Sequence, residues 1–197
     1  SLQMPGISDD IFVSGDCVFM TDAYSGLRII DISDPEYPAL AGNYDQGGFG
    51  LEGDLFVFGD YAYALDGGLL SIVNISDPTN PALVGTYNAI QPSNSVFVDD
   101  TIAYISYGDC AWPYDCIGSF EIVDVSDPAN PISLWQDPIW WGPFLDIVAT
   151  GNLTFSAEGG WFGTDFGSLA TADVTDPTSP IDLAHYFIGE KQARLIF

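Results

Sequence analysis

The chain has 197 residues, 28 acidic against 3 basic, a net charge of −25, and 47% of its residues are aliphatic, aromatic or cysteine. So apolar a composition excludes a disordered chain, and so acidic a chain cannot neutralise phosphate, which makes nucleic acid and anionic membrane surfaces poor partners. No apolar run reaches the ~20 residues of a spanning helix, and the opening SLQMPGISDD lacks a signal-peptide pattern, so a leader is absent or already removed.

One phrase recurs along the chain: GLRIIDISDPEYP at 26–38, LLSIVNISDPTNP at 69–81, SFEIVDVSDPANP at 119–131 and SLATADVTDPTSP at 168–180. Its acids Asp34, Asp77, Asp127 and Asp176 follow one another at intervals of 43 to 50 residues, the spacing of a structural repeat. Each period opens on a short apolar strand: Ile11-Phe12-Val13, Leu55-Phe56-Val57, Val96-Phe97-Val98 and Ile147-Val148-Ala149. A tight Gly- or Asp-containing turn follows, of the kind that accepts positive φ. The second strands are Cys17–Met20, Tyr61–Ala64, Ile102–Ile105 and Leu153–Ser156. The third is the phrase itself, stopped by Asp-Pro-x-x-Pro because Pro removes ladder donors. A weaker fourth strand closes the unit at 39–42, 82–85, 132–135 and 181–184.

No ten-residue stretch carries a helical period. Four antiparallel strands per unit, repeated with the same turn between strands three and four, predict an all-β fold of β-propeller blades, a pattern that a β-sandwich does not explain. The blades fall at about 9–50, 51–92, 93–143 and 144–190 of a single propeller domain or segment, and 191–197 open a fifth.

The wording GLRIIDISDPEYP, preceded by IFVSGDCVFM, resembles the LVIVD repeat family of β-propellers. The likeness is specific in three units and weaker in the fourth, where Ala170-Thr171-Ala172 replaces the bulky aliphatic run. It implies an extracellular or cell-surface propeller and leaves activity open.

Up-down-up-down strands put turns 1–2 and 3–4 at one end of each blade and connections 2–3 and 4–1 at the other. The first end has near-identical turns and reads as scaffold. The second varies, and variable loops on a rigid frame are where binding resides. Its long loops, 106–118 and 157–167, carry Trp112, Tyr114, Trp161 and Asp165, and the 4–1 connection adds Trp140 and Trp141. Such tryptophans also serve as filler for the loops' own small core. The functional reading is an aromatic platform with acidic acceptors, suited to a neutral sugar or a protein partner.

Cys110 and Cys116 flank a short loop and read as a disulfide, which requires an oxidising compartment, while Cys17 reads as a small core residue. Asn74 and Asn152 head glycosylation sequons. The many Asp residues at turns accept local backbone N–H bonds, and their charge also attracts divalent cations; no cofactor is expected beyond a Ca²⁺ held at turns such as Asp9-Asp10 or Asp99-Asp100. The lone His185 lacks a nucleophile-elbow sequence and reads as structural.

The leading expectation is a non-catalytic, extracellular or cell-surface binding module for a protein or carbohydrate. The first alternative is a structural subunit of an extracellular assembly or fibre, self-associating through edge strands. The second is a carbohydrate-active enzyme using a carboxylate pair such as Glu158 with Asp165 or Asp109 with Asp115.

Overall fold

The structure is a computed structural model. It describes residues 8–22, 25–45, 53–90, 93–110, 116–136, 140–141, 143–159 and 167–188. These fold into four antiparallel blades and, among the described residues, no helix. Blade one is β1 (Ser8–Ser14), β2 (Cys17–Asp22), β3 (Gly26–Asp31) and β4 (Ala39–Tyr44). Blade two is β5 (Leu55–Phe58), β6 (Tyr61–Asp66), β7 (Leu69–Asn74) and β8 (Ala82–Asn88). Blade three is β9 (Ser93–Asp99), β10 (Ile102–Cys110), β11 (Cys116–Asp124) and β12 (Ile132–Gln136), with β13 (Trp140–Trp141) added to β11. Blade four is β14 (Phe144–Thr150), β15 (Leu153–Glu158), β16 (Gly167–Asp173) and β17 (Ile181–Ile188). Within each blade the strands pair in chain order.

Two compact units contain these blades: Ser1–Asn88 with Pro128–Asn130, and Ala89–Asp127 with Pro131–Phe197. In the first, Phe19, Leu27 and Ile29 of blade one pack against Leu55, Val57, Ala62, Ala64 and Val73 of blade two. In the second, Tyr104, Phe120 and Ile122 of blade three pack against Ile147, Ala149, Ala170 and Ala172 of blade four. The third strand of blade two, β7, is apolar almost throughout because it is covered on both faces; its Leu70, Ser71, Ile72 and Val73 are all buried. Each such Leu, Ile or Val contributes about 1.5–3 kcal/mol. First strands of end blades instead alternate: in β14, Ile147 and Ala149 are buried and Val148 is exposed.

One end of every blade is built the same way. The 1–2 turn takes a left-handed residue at the same place, Gly15, Gly59, Asp100 or Gly151, with φ between 54° and 60°. Glycine adopts this freely, and Asp is among the side chains that tolerate it. The carbonyl of the next residue then accepts an N–H from the segment after strand three: Ile32 to Asp16, Ile75 to Asp60, Val125 to Thr101 and Val174 to Asn152, each at 2.8 Å. The last residue of strand three caps the turn, with Asp31, Asn74, Asp124 and Asp173 accepting the amides of Ser33, Ser76, Ser126 and Thr175 at 2.8–3.0 Å. Asp34, Asp77 and Asp176 repeat the device on Glu36, Thr79 and Thr178. Hydrogen bonds from Thr79 and Thr178 hold the Asp77 and Asp176 carboxyls below the usual range. The Asp-Pro-x-x-Pro segment therefore works as scaffold, as its place between strands three and four predicts.

Strands at the opposite end run further than the sequence predicts. β10 and β11 continue to a Cys110–Cys116 rung, where a loop from Ser106 to Gly118 is expected. The extension survives because β13 supplies a ladder partner to Ile117 and Gly118. β15 likewise carries Glu158 on a strand rather than in a loop. The expected strand at 191–197 lies outside the described residues.

Blade one meets the turn of blade two at a glycine. A Cβ on Gly42 would stand 2.3 Å from the Pro78 carbonyl oxygen and 3.1 Å from Pro81. Gly42→Ala is therefore expected to destabilise the protein by about 1–3 kcal/mol in denaturant melts, since the obstructing atom is backbone.

Candidate functional site: the loop end of the blades

Buried acids gather at the loop ends of the blades, and each has a built-in counterpart. In blade one Asp22 is buried at the end of β2, 3.8 Å from the Arg28 guanidinium Nε, and Arg28 also reaches the Ser25 hydroxyl. In blade three Glu121 is buried in mid-β11, where its carboxylate accepts the Ile90 amide and, at 2.9 Å, the Gln136 side-chain amide. In blade four the buried Glu158 accepts the Ser168 hydroxyl and lies 3.3 Å from His185 Nδ1. Burying a carboxylate without such partners costs several kcal/mol, so these contacts are conditions of folding.

The register explains why the partners meet. Across strands three and four the facing pairs are Arg28–Asn43, Ser71–Thr86, Glu121–Gln136 and Ala170–His185. The same position of the repeated phrase is thus occupied by Arg, Ser, Glu and Ala, and its neighbour on strand four is polar every time. A charged or polar residue inside an otherwise aliphatic strand, as in SFEIVD, is the signal by which the sequence marks this column; sequence reasoning had passed over Asp22, Glu121 and Arg28.

His185 is held from both sides. Its Nε2 stands 3.0 Å from the Asp182 carboxylate while Nδ1 faces Glu158. The bond to Glu158, against partial burial and with help from Asp182, raises its pKa to about 9. It is an imidazolium at neutral pH, and both ring nitrogens are committed to carboxylates. Ser168 donates to Glu158 rather than to the ring. A serine–histidine relay needs a neutral ring nitrogen facing the hydroxyl, and this cluster has none.

A cavity of about 70 Å³ adjoins the cluster in the second unit. It is lined by Phe120 and Trp135 of blade three and by Phe144, Ala170, Ala172, Asp182 and His185 of blade four. Its origin is in the repeat. Blade two has Val73 where blade four has Ala172. At the strand-four position where blade one has Gly42, blade three has Trp135, stacked at a tilt on Phe120 with ring centroids 5.1 Å apart. A large residue on one blade and small ones on the other leave a gap between them.

The other residues singled out from sequence divide as follows. Trp140 and Trp141 form β13 beside the hairpin that leads into 111–115, so they share one end of one sheet with that loop. Cys110 and Cys116 are direct partners in the ladder; their side chains, and those of Asp9, Asp109, Trp140 and Trp141, lie outside the described residues. So do Trp112, Tyr114, Asp115, Trp161 and Asp165 entirely. Asn74 and Asn152 belong to the scaffold end, and the Asn74 side-chain oxygen accepts the Ser76 amide and hydroxyl. Cys17 is a half-buried free thiol against the core of the first unit. Among the described residues, no group of three His, Cys, Asp or Glu is arranged to hold a metal ion.

The LVIVD repeat pattern matches residues 5–46, 50–89 and 96–134. The chain belongs to the LVIVD repeat family. The fourth blade, which the pattern does not reach, is the one with Ala170-Thr171-Ala172 in place of bulkier residues. No curated protein matches the chain. Among solved structures, the LVIVD chain is similar to the computationally designed Ika8 protein, with TM-score 0.68 and 9% identity over 91% of this chain and 48% of that one. It is similar to the computationally designed Ika4 protein, with TM-score 0.59 and 11% identity over 79% and 88%. A functionally unknown protein from Desulfotomaculum acetoxidans DSM 771 aligns with TM-score 0.67 and 15% identity over 93% and 57%. The LVIVD chain thus spans about half the length of the first of these, and at such identities the likeness is one of fold.

A raised histidine pKa has a defined sign. Stability from the His185 contacts is full below its unfolded value of 6.5 and is lost as pH rises through about 9. Since His185 is the only histidine, its imidazole NMR signal is expected to titrate near pH 9, and His185→Gln is expected to remove the fall in Tm between pH 6.5 and 9. A midpoint near 6.5 would mean that the two carboxylates do not hold it.

Proposed function

We propose that the protein is a non-catalytic, extracellular or cell-surface binding module that engages a protein or carbohydrate through the loop end of its blades. The observation that carries this reading is the difference between the two ends. One end repeats a single hydrogen-bonded turn in every blade, and the other differs in loop length and in the charge at the same strand position. Repetition is what a frame needs and variation is what recognition needs.

Blade three carries most of the aromatic residues singled out at this end, Trp112, Tyr114, Trp140 and Trp141. The pair Trp140–Trp141 is laddered onto Ile117–Gly118, next to the rung Cys110–Cys116. A disulfide on that rung would fix the 111–115 loop, with Trp112 and Tyr114, beside β13. Trp161 and Asp165 would extend the platform from blade four. Flat aromatic faces stack on sugar rings or anchor protein partners, and a net charge of −25 turns away anionic ligands. Bound Ca²⁺ at the acidic turns would be an accessory to this role. The committed ring nitrogens of His185 speak for recognition rather than catalysis.

The test is binding of the full chain to neutral glycan arrays and to extracellular protein libraries, repeated with Trp140→Ala/Trp141→Ala. Loss of a buried aromatic anchor costs about 2 kcal/mol or more, so affinity is expected to fall at least tenfold while Tm holds. Undiminished binding by the double variant would remove this end as the site.

A further inference from the structure

The cavity of the second unit is built on two cross-strand rows of blade four. One row runs Thr154–Ala172–Asp182 and the next Ser156–Ala170–His185, each from β15 through β16 to β17. Both rows have a hydroxyl at one end, an alanine in the middle and an ionisable group at the other end. Phe120 and Trp135 of blade three, with Phe144, add aromatic rings to the same lining. Phe120 touches both of the others, with centroids 5.1 Å from Trp135 and 6.3 Å from Phe144, so the three rings make one continuous surface.

Size, polarity and charge narrow what fits. A volume of about 70 Å³ holds roughly five water-sized groups. The lining is mainly apolar, and His185 offers no free donor, because its ring nitrogens face Glu158 and Asp182 at 3.3 and 3.0 Å. A ligand rich in hydrogen-bonding groups would leave many of them unpaired there. Two carboxylates stand against one imidazole, and Asp182 is the more open of the two, its side chain 46% exposed. Among the described residues of the second unit there is no lysine or arginine. The excess charge is negative, which repels an anion and draws in a cation. Aromatic faces attract a cation as well, more strongly where water is excluded.

We propose that this cavity binds the quaternary ammonium group of a small, free organic cation. Such a group spreads its charge over methyls and needs no hydrogen-bond acceptor, so a mainly apolar pocket receives it. A trimethylammonium with its methylene has about five non-hydrogen atoms, which matches the space. Asp182 balances the charge, and Phe120, Trp135 and Phe144 supply the aromatic contact. The mismatch of large and small side chains between blades three and four is then a binding site.

The experiment is titration of the full chain with choline and with its neutral carbon isostere, in which a tert-butyl group replaces trimethylammonium. The imidazole NMR signal of His185, the sole histidine, reports from the cavity lining. Choline is expected to shift it and to saturate in the millimolar range, and the isostere to bind roughly tenfold more weakly or worse. Ala172→Val, which restores the residue that blade two has as Val73, fills the cavity and should abolish choline binding with Tm held or raised. Asp182→Asn keeps the shape and should weaken choline about tenfold. Phosphocholine adds an anion to the same group and should bind more weakly than choline; tighter binding would make the ligand a lipid headgroup and overturn the free cation. Absence of choline binding overturns the proposal. So does equal binding of the isostere, or choline binding that a folded Ala172→Val protein retains. Should that variant fail to fold, the isostere and Asp182→Asn decide the matter.

Discussion

The structure depends on one sheet face pressing on the next. Within each unit an aromatic-aliphatic row on the earlier blade, with Phe19 and Ile29 or Tyr104 and Ile122 at its centre, closes over small and branched residues on the following blade. The packing dictates side-chain size on both sides of the seam. Where the neighbouring turn comes close, blade one has Gly42, and only a hydrogen fits. Where blade three has Trp135 instead, the facing strand has shrunk to Ala170 and Ala172, and the mismatch remains as a cavity. The weakening of the repeat in the fourth blade is therefore a matter of shape as well as of sequence.

Charge follows a second constraint. The chain has three Lys and Arg residues and one His, and Arg28 and His185 stand beside buried carboxylates at the loop end, Asp22 and Glu158. Glu121 instead takes neutral donors, Gln136 and a backbone amide. The scaffold turns use acids differently. Asp31, Asp77 and Asp176 are exposed, Asp124 and Asp173 half-buried, and all five are tied to nearby amides, which lowers their pKa. One residue type thus serves as a turn lock at one end and as half of a buried pair at the other.

Much of this was legible in the sequence. The recurring phrase marks all four third strands, its Asp-Pro-x-x-Pro marks the scaffold turn, and the alternation Ile11-Phe12-Val13 marks a first strand, since each rests on local rules of period two and turn chemistry. The buried network was not legible. Glu158 reads as a loop acid because Ala-Glu-Gly-Gly looks like a turn, yet β15 carries it inward to Ser168 and His185. Such pairing depends on which strand lies opposite, information that no local window contains. The length of the β10–β11 hairpin was missed for the same reason, because its last rungs depend on β13, more than twenty residues further on.

Amide hydrogen exchange tests the packing account most directly. If face-to-face burial of the middle strands holds each unit, the amides of Ile72, Val73, Ile122 and Val123 should exchange only through global unfolding. Those of Ile32, Ile75, Val125 and Val174, bonded alike in every blade, should be protected alike, while the outer β17 exchanges fast. Fast exchange in β7 and β11, or protection in β17 equal to theirs, would contradict it.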